Sequence, residues 1–159
     1  MIYPQSTSYA IEALAFISGL DSATPVKTRQ LSKILNIPEQ YLGKVMTQLA
    51  KKKYISSTKG PTGGFVLAVD PDRITLYRIM VSLDSVTPLE ENCVMGLSKC
   101  SNDTPCAFHE RWSKFKEQVI SESQKLSLKD LSRILLNKMR VKSNNQKLNF
   151  ADLINNNLS

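Results

Sequence analysis

The sequence predicts a mainly α-helical chain with one small β-hairpin, a winged helix-turn-helix followed by a long dimerisation helix. Three observations carry that expectation. Two short helical runs meet at Leu35-Asn36-Ile37-Pro38, two β-rich runs flank a glycine- and proline-bearing tip, and a later aromatic stripe has the spacing of a helix seam. With 159 residues the chain suits one domain with a core of its own and appended helices.

Ser8 to Ser18 is helical in pattern, with Ile11, Leu14, Ala15 and Ser18 on one face and Glu12 outside it. Gly19 offers a stop, and residues 21–25 read as a polar loop. Thr28 suits the N-cap of a short helix whose Leu31, Ile34 and Leu35 share a face, and Asn36 can end it in the left-handed conformation. Pro38 suits the first turn of another helix, with Glu39 favourable at its positive end. There Leu42, Val45, Met46 and Leu49 form the buried stripe. Gln40, Tyr41, Gly43, Lys44, Thr47, Gln48 and Lys51 remain outward. Residues 28–51 thus form a helix-turn-helix whose second helix keeps polar and basic groups free, as a major-groove reader requires.

Residues 54–69 hold the two β-rich runs around Lys59-Gly60-Pro61-Thr62-Gly63, a hairpin signal. A hairpin directly after a helix-turn-helix is a wing, with Lys59 and Gly60 at a tip positioned to reach phosphates or a minor groove. No Gly-Lys-Ser/Thr follows these glycines and no helix opens after them, so turn geometry explains them better than a nucleotide loop. Thr75 can cap a helix from Leu76 to Leu83, with Ile79, Met80 and Leu83 inward.

Residues 84–106 lose periodicity. From 107 to 126 a longer helix places Phe108, Trp112, Phe115 and Val119 at spacings of four, three and four, the seam of a coiled-coil-like pair. Such a stripe also suits packing within one subunit; a dimer interface is the favoured expectation. Ser127-Leu128-Lys129-Asp130 resembles a capping box with Asp in place of Glu, and opens a last helix carrying Leu128, Leu131, Ile134 and Leu135. The asparagine-rich segment 137–159 is expected to be a partly disordered tail, with Leu148, Phe150, Leu153 and Ile154 available for a weak docking helix.

The net charge of +7 resides in one segment. Between Val26 and Gly60 stand Lys27, Arg29, Lys33, Lys44, Lys51, Lys52, Lys53 and Lys59 against the single acid Glu39, and this surplus equals the charge of the whole chain. On a helix-turn-helix and wing, such a patch is the electrostatic footprint of phosphate-backbone binding. No apolar run approaches a membrane-spanning length, and the N-terminus lacks secretory features, so a cytoplasmic location is expected and no membrane partner.

Cys93, Cys100 and Cys106 are the only cysteines, and the sole histidine, His109, follows three residues after the last. The pattern C-x6-C-x5-C-x2-H gathers every soft-metal ligand of the chain into one loop-like stretch. Thiolates hold iron–sulfur clusters and zinc, and imidazole can complete a four-ligand set. Incidental buried thiols are the bland alternative. A disulfide framework suits an odd count in a reducing compartment poorly. Structural zinc is a rival, though zinc sites often use closer cysteine pairs. An enzyme is not expected, because the one histidine adjoins the cysteines and no nucleophile motif is present.

Tyr9-Ala10, Ile37-Pro38-Glu39-Gln40-Tyr41-Leu42, the run Gly60-Pro61-Thr62-Gly63-Gly64-Phe65-Val66-Leu67, the cysteine triplet and Ser127-Leu128-Lys129-Asp130-Leu131 together resemble the Rrf2 family of bacterial winged-helix regulators, of IscR and NsrR type. The resemblance runs over residues 1–136. It implies a homodimer in which the helix from Ala107 onward crosses its partner and each winged helix reads half of a palindromic operator in double-stranded DNA. Thr28, Gln40, Tyr41, Lys44, Thr47, Lys51, Lys59 and Gly60 are the expected DNA-binding residues. The family further implies a [2Fe–2S] or [4Fe–4S] cluster on three cysteines and a variable fourth ligand.

His109 is placed similarly to the histidine of the IscR-like site, which favours [2Fe–2S] and leaves [4Fe–4S] open. Other members borrow an acidic residue from the partner's N-terminal helix; Ser8 stands at that position here, and Glu12 is the only acid nearby. The chain also departs from the pattern. The first cysteine spacing is one residue longer than in IscR-like proteins, and Gly43 and Lys44 replace a glutamate and a glutamine, so no operator sequence carries over. The expected function is a dimeric regulator whose operator affinity follows an iron–sulfur cluster, sensing redox, nitric oxide or iron–sulfur status. The alternative is a cluster-free or zinc-stabilised regulator of the same fold answering to a protein partner or to thiol oxidation.

Overall fold

The computed structural model describes residues 3–156 apart from 23, 98 and 100. Its first helix, α1 (Gln5–Ser18), is the centre of the molecule. Thr7, Ala10, Ala13, Leu14, Ala15, Phe16 and Ile17 are all buried, so the helix is enclosed nearly all round rather than along the single stripe its periodicity suggests. It begins after Pro4, three residues earlier than the pattern predicts, because the Thr7 amide already bonds the Pro4 carbonyl at 2.9 Å. Glu12 is likewise not outside. It is half-buried, and loss of hydration raises its carboxyl pKa against the opposing pull of Lys138 and Lys142.

Helices α2 (Thr28–Leu35) and α3 (Glu39–Lys51) form the helix-turn-helix. Asn36 ends α2 in the left-handed conformation at φ 55°. The N-cap is Lys27, not Thr28, and the Gln30 side chain accepts the Lys27 amide at 2.9 Å. In α3 the buried residues are Leu42, Val45, Met46 and Leu49, the set its periodicity predicts.

Strands β1 (Ile55–Thr58) and β2 (Gly64–Leu67) pair antiparallel, from Ile55 opposite Leu67 to Thr58 opposite Gly64. Val26 adds an isolated antiparallel bridge on the other side of β2, exchanging two backbone hydrogen bonds with Phe65 at 3.0 and 2.8 Å. Gly64 is required there, since a Cβ would stand 2.8 Å from the Val26 carbonyl carbon. The wing is thereby stitched to the start of α2, and the Lys27 ammonium reaches the Pro61 carbonyl at its tip, 2.9 Å away.

Helix α4 (Leu76–Ser82) starts at Thr75, whose hydroxyl accepts the Arg78 amide at 3.3 Å. The expected aperiodic stretch contains a five-residue helix, α5 (Thr87–Glu91). Helix α6 (His109–Lys125) leads into α7 (Leu128–Ser143), which opens on the Ser127/Asp130 capping box. The division expected at residue 136 falls inside α7. Beyond it α8 (Phe150–Asn155) is packed, with Phe150 edge-on to Phe16 at 4.7 Å between centroids. Gly19 accepts this contact because a Cβ there would occupy the Phe150 ring position. The described part of the segment 137–156 is therefore largely helical, held by Leu148, Phe150 and Ile154 in the core.

A second, smaller cluster joins Met80, Val86 and Leu89 to Tyr3, Leu76, Tyr77, Trp112, Val119 and Ile120. It fastens α6 to α4 and the start of the cysteine segment. Among the described residues no helix is long and apolar enough to cross a membrane.

Candidate functional site

Two surfaces carry the candidate residues. On the first, Gln40, Tyr41, Lys44, Thr47 and Lys51 are exposed along α3, with Lys59 and Gly60 exposed on the wing and Thr28 half-buried at the start of α2. Tyr41 is 62 % exposed, with the Lys44 ammonium 6.0 Å from its ring centroid. A large aromatic is thus left in water on the outer face of the second helix of the helix-turn-helix. Thr47 commits its hydroxyl proton to the Gly43 carbonyl at 2.9 Å, leaving it as an acceptor. Nothing lies within 4 Å of where a Cβ of Gly43 would stand, so α3 is locally flat there. Sequence reasoning missed Gln5 and Ser6: the earlier start of α1 brings them beside Tyr41, Lys44 and Gln48 around a pocket of about 350 Å³. It also missed the role of Lys27 in holding the wing tip.

On the second surface, α6 organises the cysteine segment. Trp112 Nε1 donates to the Asn92 carbonyl at 2.9 Å, and Lys116 Nζ, one turn on, donates to the Glu90 carbonyl at 2.7 Å. Both carbonyls lie within the three residues before Cys93. Asn92 and Lys99 form a bridge that closes the loop, and the His109 amide bonds the Cys106 carbonyl at 3.0 Å where α6 begins. The result places Cys93 Sγ 3.4 Å from Cys106 Sγ, both thiols free and half-buried. His109 lines the same pocket of about 120 Å³ with Leu97, Lys99, Thr104 and Pro105. Cys100 lies outside the described residues.

The donor set fits a soft metal in part. Two sulfurs on one tetrahedral metal, with bonds of ~2.3 Å, stand about 3.8 Å apart, so this pair need separate only slightly. A hydrogen bond from the Met95 amide, with lesser ones from Cys106 and Leu97 and the charge of Lys116, holds the Cys93 thiol below its usual pKa despite desolvation. His109 Nε2 is hydrogen-bonded to Asn102 Oδ1 at 2.8 Å, so a metal taking this nitrogen would displace Asn102. Among the described residues no three candidate ligands converge on one point.

The aromatic stripe divides. Trp112 and Val119 pack into the smaller core cluster of the same chain, whereas Phe108 and Phe115 are 49 % and 43 % exposed. Trp112 stacks on Phe115 at 5.5 Å and 22°. The four-residue seam expected from spacing is therefore half intramolecular, because α4 and α5 claim the Trp112 side of α6. Tyr3, Leu76, Met80, Phe115, Val119 and Leu126 border an open groove along the helix.

Comparison with known proteins gives consistent matches. A family model described as Rrf2, iron-dependent transcriptional regulator, matches residues 3–134. A protein of Aquifex aeolicus, named provisionally as an HTH-type transcriptional regulator, is 37% identical over 136 residues, covering 84% of this chain and 93% of its own. The HTH-type transcriptional regulator IscR of Xenorhabdus nematophila is 26% identical over 123 residues, covering 77% and 74%. Among solved structures, CymR, the global cysteine regulator of B. subtilis, superposes with a TM-score of 0.68 at 22% identity, covering 82% of this chain and 95% of that one.

Proposed function

This chain belongs to the Rrf2 family of transcriptional regulators, and from that premise we propose that it is a homodimeric, sequence-specific DNA-binding protein whose operator affinity is switched by an iron–sulfur cluster. The family and fold are those of transcriptional regulators, not enzymes. One observation carries the cluster reading: Cys93 and Cys106 present their sulfurs 3.4 Å apart on a pocket that His109 also lines. Cys100, between them in sequence, is the proposed third thiolate and His109 the fourth ligand, which favours [2Fe–2S] over [4Fe–4S].

In the proposed dimer, Phe108 and Phe115 meet the partner's α6 across the open groove. Trp112 and Val119 support them from beneath. The heads then stand about one helical turn, roughly 34 Å, apart on a palindromic operator. Lys51 and Lys59 contact phosphates, Thr28 and Gly60 approach the backbone, and Gln40, Tyr41, Lys44 and Thr47 face base edges. When bound, a cluster supplies a redox- and nitric-oxide-sensitive centre. The protein's part is to fasten the ligand loop to α6, so that loop rearrangement is passed to the dimer seam. A coupling of about 1–3 kcal/mol suffices for a regulatory response.

Fluorescence anisotropy of the chain's own upstream region, with anaerobically loaded and cluster-stripped protein, tests this reading. A change in operator affinity of about fivefold or more between the two forms supports the switch. Equal affinity in both forms contradicts it. A second reading rests on the same sulfur pair: at 3.4 Å the two thiols need approach by little more than an ångström to form a disulfide. A cluster-free regulator responding to thiol oxidation then changes operator affinity with peroxide alone, in protein free of iron.

A further inference from the structure

Lys116 is a buried cation that takes no part in DNA contact, in metal ligation or in the proposed dimer seam. The residue is 8 % exposed in the middle of α6, and its ammonium spends one of three N–H groups on the Glu90 carbonyl. None of the ion pairs among the described residues includes it. Burying an ammonium is unfavourable unless an opposite charge answers it. The carbonyl it meets lies three residues before Cys93.

We propose that Lys116 is a positioning residue for the cysteine site, holding the entry to Cys93 against α6 and serving as counter-charge to the thiolates that bind the metal group. The inference rests on the reading of Cys93 and Cys106 as ligands. Two consequences separate it from a purely structural role. Metal binding exchanges thiol protons for thiolate–metal bonds, and the resulting negative charge is stabilised by the ammonium, so affinity depends on the charge at position 116. Reduction of a bound cluster by one electron from an external reductant adds one negative charge to the site, so the ammonium also favours the reduced state.

Lys116→Met removes the charge and keeps most of the stem, Lys116→Arg keeps the charge, and Lys116→Gln keeps a donor without charge. The full-length dimer of each is titrated anaerobically with cobalt(II), followed by thiolate-to-cobalt absorption. The reconstituted protein is then titrated with dithionite to find the cluster midpoint potential. Affinity about tenfold weaker in the Met variant, with a more negative midpoint potential in both uncharged variants and values close to wild type for Arg, supports the proposal. If the Met variant does not fold, the Gln variant decides by its potential. An uncharged variant with the wild-type potential overturns the proposal, even where its melting temperature has fallen. A wild-type protein that binds neither cobalt through thiolates nor a cluster contradicts the underlying ligand reading, and this inference with it.

Discussion

The indole of Trp112 is bonded to the backbone of Asn92, Nε1 to carbonyl oxygen at 2.9 Å, twenty residues apart in sequence. This hydrogen bond pins the approach to Cys93 onto the helix whose first residue is His109. The same ring stacks on Phe115, which faces outward. One side chain therefore lies between the proposed ligand loop and the proposed dimer seam.

Trp112→Ala and Phe115→Ala should consequently differ. Truncating Trp112 removes core packing, a ring stack and a hydrogen bond, and should lower protomer stability by about 3 kcal/mol. Truncating the exposed Phe115 should leave protomer stability within about 1 kcal/mol while weakening the dimer. Urea denaturation together with sedimentation equilibrium distinguishes them. A Phe115→Ala protein that remains as tight a dimer as wild type removes Phe115 from the interface.

Lys44 and Lys59 should separate specificity from affinity. Lys59→Ala should weaken binding to all duplexes alike and reduce the slope of log K against log salt by about 0.9 for each phosphate no longer neutralised. Lys44→Ala should also change which base is preferred, because Lys44 lies on the exposed face of α3 beside Tyr41. Binding-site selection at two salt concentrations measures both. A Lys44 variant with unaltered base preference excludes it from direct readout.

Glu12 predicts a pH dependence of stability. Its carboxyl pKa is raised above 4.5 in the folded chain, so the folded state binds the proton more tightly than the unfolded state. The stability it contributes is full below 4.5 and is lost as pH rises through the folded value. Glu12→Gln should remove that decline and leave the chain more stable near neutrality. Thermal unfolding of both proteins across the acid range checks the sign; a steeper decline in the Gln variant contradicts it.

Much of the fold was legible because its signals are local. Asn36, Thr75 and the Ser127/Asp130 box act within one helical turn, and the α3 stripe follows from period alone. What the sequence did not disclose depends on tertiary partners. The all-round burial of α1 comes from α7 closing over its fourth side, which also encloses Glu12. The packing of Phe150 depends on a missing Cβ at Gly19, over a hundred residues away. For the candidate site, the spacing of cysteines and histidine identified the loop. It carried no trace of the bonds by which Lys116 and Trp112 hold that loop, since hydrogen bonds from a helix to a distant backbone leave no periodic mark.

The iron and acid-labile sulfide content of protein purified without oxygen, read with its visible absorption, tests the central claim most directly. A cluster on Cys93, Cys100, Cys106 and His109 predicts coloured protein with iron and sulfide in equal amounts. The colour should be lost in Cys93→Ala, Cys100→Ala and Cys106→Ala and only weakened or shifted in His109→Ala, where water or a carboxylate can take the vacated position. Colourless wild-type protein carrying stoichiometric zinc and no sulfide would contradict it.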